Sequence, residues 1–196
     1  MYGGKIMKRF FALLLALTLA LSLGACAKTN GTGTTGGSRI PDAVTLLTAV
    51  WDKIPEDQKF SAIGGQIGGS DVRDGVPGAF SLDNADELDR ELGFPAASAD
   101  KLLDAASLTH MLNANTFTGG AYHVKAGEDL AALGQALRDN IQARRWMCGF
   151  PDKVVVLSVE NYLVSLFGAE DLVNTFRDTL TETYAGAKVL YDEGIQ

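Results

Sequence analysis

The stretch "KVVVLSVENYLVSLF", residues 153–167, constrains the fold more than any other. Two runs of β-branched, leucine and aromatic residues flank Glu160-Asn161, which predicts a β-hairpin with a two-residue turn. Strand alternation puts Val154, Val156 and Phe167 on one face and Val155, Leu157, Val164 and Leu166 on the other. An antiparallel sheet that meets water on one side alternates apolar with polar. This hairpin does not, so both of its faces need a cover. The N-terminal segment of the domain is the expected cover for the second face, ahead of a partner's surface.

Around the hairpin, helical and strand periods alternate. Residues 42–53 predict a helix with Val44, Leu47, Val50 and Trp51 on one stripe. The glycine-rich run 60–80 has no helical period and reads as a long loop with one edge strand. Asn84 followed by Glu87 forms a capping box for a helix that Gly93 closes before Pro95, and Ser98 starts a short helix to Ala105. "ASLTHML" and "TFTGGAYHV" read as strands about the turn Asn113-Ala114-Asn115. The longest helix is expected over 128–147, with acids in its first turn, Arg144 and Arg145 in its last, and Gly149 and Pro151 beyond. A helix after Gly168 and a strand "AKVLYDE" complete the chain. The expected fold class is α+β: a mainly antiparallel sheet in the order β-β-α-β-β-α-β with helices packed on one face, preceded by a helical N-terminal segment.

The first 41 residues are of another kind. Lys8 and Arg9 precede the apolar run 10–23, in which only Thr18 and Ser22 are polar. Fourteen residues are too few for a membrane-spanning helix, which takes about 20. A basic head, an apolar middle and a small-residue exit make an export signal over residues 1–25. The exit Leu23-Gly24-Ala25-Cys26 resembles the lipobox of bacterial lipoproteins. The resemblance implies cleavage between Ala25 and Cys26, with diacylglycerol and palmitate-type acyl chains on Cys26. Two such chains give stable anchoring at about 0.8 kcal/mol per buried CH₂. The run 26–41, rich in glycine and threonine, cannot bury enough apolar surface to fold and reads as a tether of roughly 20 Å root-mean-square reach. Residues 42–196 then form a single globular domain. Loss of Lys5, Lys8 and Arg9 with the signal takes the formal charge of −7 down by three, to about −10. Nucleic acid is excluded as a partner by that charge.

No catalytic set assembles in the sequence. "SADK" at 98–101 matches Ser-x-x-Lys, but Ser-Asp-Asn and Lys-Thr-Gly companions are absent. Cys148 stands at the expected helix C-terminus, where the dipole disfavours a thiolate, and reads as a small buried residue. His110 and His123 fall out of register in the expected hairpin and cannot share an ion, so no metal site and no cofactor is expected. "IGGQIGG" lacks the Lys-Ser/Thr of a phosphate-binding loop. The remaining candidates are Phe117, Tyr122 and Trp146, aromatic residues that could line a binding surface.

"DAASLTHMLNANTFTGGAYHV", "RRWMCGFPDKVVVLSVENYLVSLFGAEDLV" and the lipobox together resemble small lipoproteins of Gram-positive gut bacteria, a family sometimes named bacteriocin transport accessory proteins. The resemblance brings no catalytic residues to carry over. It implies a non-catalytic accessory or binding domain on the outer face of the cell membrane, lipid-anchored, with an envelope protein as partner. A small-ligand capture lipoprotein is the alternative.

Overall fold

The computed structural model describes residues 39–196. Cys26, the Ala25–Cys26 cleavage position and the tether as far as residue 38 lie outside the described residues. Ile40, expected in the tether, is buried, and its carbonyl accepts a hydrogen bond from Tyr162 Oη at 2.9 Å. The packed unit therefore takes in residues ahead of the first helix.

That helix, α1 (Ala43–Trp51), is capped by the Asp42 carboxylate, which accepts from the Thr45 amide. Three short strands follow: β1 (Ala62–Gly64), β2 (Arg73–Asp74) and β3 (Gly78–Phe80). Helix α2 (Ala85–Leu92) starts at Asn84, whose side chain accepts from the amides of Asp86 and Glu87, and stops at Gly93 with φ 76°. A 3₁₀ turn over Ala96–Lys101 replaces the expected helix from Ser98, and β4 (Leu102–His110) begins directly after it. Then come β5 (Phe117–Val124), α3 (Leu130–Gln142), β6 (Lys153–Val159), β7 (Tyr162–Gly168), α4 (Glu170–Thr183) and β8 (Lys188–Gly194). Helix α3 ends five residues short of the expected boundary, and α4 is the longer of the two.

All strands join one antiparallel sheet of eight, ordered β2-β1-β4-β5-β7-β6-β8, with β3 also on β4. The glycine-rich run thus supplies three short edge strands, where one was expected, with loop between them. β3 pairs with residues 105–107 of β4 and β1 with residues 108–110, so the two lie end to end along one edge. Strands of two or three residues carry too little alternation to show in a sequence.

The helices do not share one face, and the expectation that they would is corrected here. Helices α1 and α4 cover the face carrying Ala106, Leu108, Phe117, Val155, Leu157, Val164 and Leu166. Helices α2 and α3 cover the face carrying Tyr122, Val154, Val156, Leu163 and Phe167. Strand order supplies the reason. β5-α3-β6 is a crossover between parallel strands that skips β7, and β7-α4-β8 is one that skips β6. Both move toward the β8 edge, but β5 and β7 run in opposite directions. Crossovers of the same right-handed sense must then place their helices on opposite faces. The doubly apolar hairpin is satisfied by α1 and α4 on one side and α2 and α3 on the other.

Each face holds its own core. On the α1/α4 face an aromatic ladder runs Trp51, Phe60, Phe117, Phe176, with ring centroids 5.1, 4.8 and 5.4 Å apart in that order. On the α2/α3 face the core is partly polar. Ser107, Thr109, Thr118 and Ser165 are the buried polar residues among those described, and strand register puts all four on this face. Tyr122 rises among them, its phenol donating to the Leu92 carbonyl at 3.0 Å and lying 3.0 Å from Ser165 Oγ. Lys153, Asp192 and Arg177 tie β6, β8 and α4 together, with Lys153 and Arg177 both contacting the Asp192 carboxylate. Among the described residues no helix is long and apolar enough to cross a membrane.

Candidate functional site

Strand register separates the three aromatic candidates. Phe117 and Tyr122 are five residues apart on β5, an odd number, so their side chains leave opposite faces of the sheet. Both are fully buried, Phe117 in the α1/α4 core and Tyr122 in the α2/α3 core. Trp146 packs on the Tyr122 side, its ring 5.4 Å from that of Phe167. The three do not line one pocket.

Trp146 nevertheless packs on Arg144 and Phe167, two residues that line a site the sequence did not reveal. Thr109, Thr118 and Phe167 are cross-strand partners in one row over β4, β5 and β7, and they floor a cavity of about 220 Å³. Exposed Ile67, Arg90 and Ala114 rim it, and Glu91, Asn115 and Arg144 complete the wall. Arg144 sits two residues beyond α3. Its guanidinium lies 5.0 Å from the Trp146 ring and 5.4 Å from that of Phe167. Nη2 donates to the carbonyl of Arg90 in the last turn of α2, where a cation meets the negative end of the helix dipole. Nη1 is buried with no hydrogen-bond partner among the described residues, and Arg144 makes no salt bridge there. The Thr109 hydroxyl, in contrast to that of Thr118, which donates to the Ala114 carbonyl at 3.0 Å, also makes no hydrogen bond to the described residues.

Burial pushes the Arg144 guanidinium below its ordinary value, and the nearby Tyr122 and Asp89 only partly offset this. An unpaired buried cation is costly until an anion meets it. Glu91 has the mirror problem. Burial raises its carboxyl, against the Ile67 amide and the Arg90 charge that favour ionisation. The cavity thus holds a cation and an anion, each short of compensation, over a floor with one uncommitted hydroxyl.

No protein-family model, curated protein or solved structure matches the chain.

Other candidates fall elsewhere. His123 Nδ1 lies 2.8 Å from Asp104 Oδ2 and its ring stacks on Tyr162, whereas His110 stacks on Phe60. Six residues of β4 separate Asp104 from His110, about 20 Å of strand. Among the described residues no three His, Cys, Asp or Glu side chains are grouped to hold a metal ion. Ser98 lies inside the 3₁₀ turn.

Cys148 corrects the expectation of a buried residue: it is exposed, with φ 62°. The helix that was to bury it ends at Gln142, and residues 147–149 form a loop held by the side chains of Asn113 and Asn115. Asn113 Nδ2 donates to the Cys148 carbonyl at 2.9 Å, and Asn115 Nδ2 to those of Met147 and Gly149 at 2.7 and 3.0 Å. A left-handed conformation costs a side-chain-bearing residue about 1 kcal/mol. Cys148→Gly is therefore expected to stabilise the domain by about 0.5–1 kcal/mol in urea unfolding. In the folded wild type the thiol should alkylate at the rate of an unstructured peptide thiol, and strong protection would contradict its exposure.

Proposed function

We propose that this chain is a lipid-anchored extracytoplasmic protein whose domain captures a small carboxylate at Arg144, without catalysis. The guanidinium of Arg144, which makes no salt bridge to the described residues and stands in the wall of a 220 Å³ cavity floored by Thr109 and Thr118, carries this reading. One guanidinium edge with a hydroxyl suits a singly charged, planar carboxylate. A phosphate dianion would meet a single uncommitted cation with Glu91 close by, in a chain of formal charge −7. The cavity is smaller than the roughly 300–1,000 Å³ of pockets for drug-sized ligands, so the ligand is small. Anchoring rests on the lipobox at Cys26 and on the family resemblance.

The test is a thermal-shift and calorimetric titration of the purified full-length protein with short carboxylates and amino acids. At least one should raise Tm, the stabilisation growing with the logarithm of ligand concentration to about 2.7 kcal/mol at one hundred times Kd. Arg144→Gln should weaken that binding tenfold or more and Thr109→Val several-fold. No shift from any compound at ~10 mM, or an Arg144→Gln protein that binds like wild type, overturns the pocket. In cells, Cys26→Ser should leave precursor uncleaved and without lipid label.

A second reading, an adaptor for an envelope protein or a peptide exporter, is favoured by the exposed Leu112, Met147 and Phe150. They stand at the pocket's end of the sheet, where Asn113 and Asn115 join the two loops. A crosslinked pull-down from the envelope yielding one partner near equal stoichiometry would support it over ligand capture.

A further inference from the structure

Resting on that reading of the pocket, the geometry points to a zwitterion as its ligand: a small amino-carboxylate with an aliphatic spacer, carboxylate at Arg144 and ammonium at Glu91.

Two different walls hold the two charges. Arg144 lies over Phe167 of β7 and over Trp146, whose ring also packs on that of Phe167. Glu91 faces the other side, where its Oε2 accepts from the Ile67 amide, beyond β1, at 3.4 Å. Between them run β4 and β5, whose Thr109 and Thr118 form the floor. A ligand bridging both walls lies across the strands, over a polar floor, with its spacer beside Phe167 and Ile67.

Glu91 is committed only in part. Its side chain is 11% exposed, and its ion-pair partner Arg90 is 64% exposed and shared with Glu87. A solvated, shared guanidinium compensates a buried carboxylate weakly. The 3.4 Å contact with Ile67 is at the long limit of a hydrogen bond, so Glu91 retains acceptor capacity toward the cavity. A ligand bearing only a carboxylate would satisfy Arg144 and bring a second anion next to Glu91. One bearing only an ammonium would do the reverse at Arg144. Only a ligand carrying both charges answers both walls, and its net neutrality suits an acidic chain.

The experiment titrates full-length protein with glycine, 4-aminobutanoate, 6-aminohexanoate, hexanoate and hexylamine, by calorimetry and by Trp146 fluorescence in a Trp51→Phe background. At least one amino-carboxylate should bind ten times more tightly than both hexanoate and hexylamine. Glu91→Gln should erase that preference while leaving hexanoate binding unchanged or improved, a split that a folding defect would not produce. Hexanoate binding as tightly as every amino-carboxylate, with Arg144→Gln still impaired, overturns the zwitterion and spares the carboxylate pocket. Indifference of all five ligands to Arg144→Gln overturns both.

Discussion

Gly64→Ala is expected to lower the free energy of unfolding by about 3 kcal/mol. A β-carbon at residue 64 would stand 2.2 Å from the Val76 carbonyl oxygen and 2.3 Å from the Gly78 amide nitrogen. Both are backbone atoms, so neither yields by a rotamer change. The crowding arises because β1 and β3 follow one another along the same edge of β4, with Gly64 opposite Leu108 and Gly78 opposite Ser107. The two strands pass at the one place where neither carries a side chain. Gly186→Ala is the control, since a β-carbon there meets nothing within 4 Å, and it should change stability by less than about 0.5 kcal/mol. Urea unfolding followed by circular dichroism measures both. Equal midpoints for the two variants would mean that β1 and β3 do not meet in this way.

Tyr122→Phe should cost about 2 kcal/mol at neutral pH, because the Ser165 hydroxyl and the Leu92 carbonyl lose a buried partner together. Its pH dependence separates this from simple packing. Burial pushes the Tyr122 phenol above its ordinary value, with Ser165 and Arg144 acting in the opposite sense. In the unfolded chain the phenol ionises from about pH 10, and in the folded protein it keeps its proton beyond that. The unfolded state therefore binds fewer protons, and the stability contributed by neutral Tyr122 is complete below about pH 10 and falls as pH rises further. The phenylalanine variant has nothing to lose there. The gap between the two proteins should narrow above pH 10 by up to about 1.4 kcal/mol per unit. A constant gap from pH 7 to 11 would show that the phenol ionises as readily folded as unfolded.

Legibility followed the length over which a pattern could accumulate. The hairpin 153–167 was plain because seven-residue strands alternate several times, and the Asn84 cap and Gly93 stop because their chemistry is local. Only one edge strand was expected in the run 60–80, and the meeting of β1 with β3 was hidden, since three residues contain no period and their glycines serve a close approach of two backbone segments. The face taken by each helix was hidden too: it depends on strand order, which no local pattern encodes. Cys148 was misplaced through an overlong α3, whose stop signals Gly149 and Pro151 lie seven and nine residues past its last residue. The pocket was the least visible. Arg144 and Arg145 read alike as cations in a helix's last turn. What turns Arg144 inward is the Arg90 carbonyl at the end of α2, more than fifty residues earlier in the chain. Of the aromatic candidates Trp146 packs behind the site, on Arg144 and Phe167, for a reason its composition did not contain.

The way the chain joins its domain has a mechanical consequence. The Arg39 amide donates to Glu160 Oε2 at 2.8 Å, the Ile40 carbonyl accepts from Tyr162, and the Ala43 amide donates to Asp104, which itself pairs with His123. Those partners belong to the β6–β7 turn, β7, β4 and β5, the middle of the sheet. Tension applied at residue 39 is thus delivered to the interior strands at one of their ends. The edge strands β2 and β8, which would peel one hydrogen bond at a time, bear none of it directly. Thr118 and Phe167, on the pocket floor, stand about 17 Å farther along those same interior strands, five residues from the loaded end. The domain can be pulled by its leading segment while the strands under the pocket yield last.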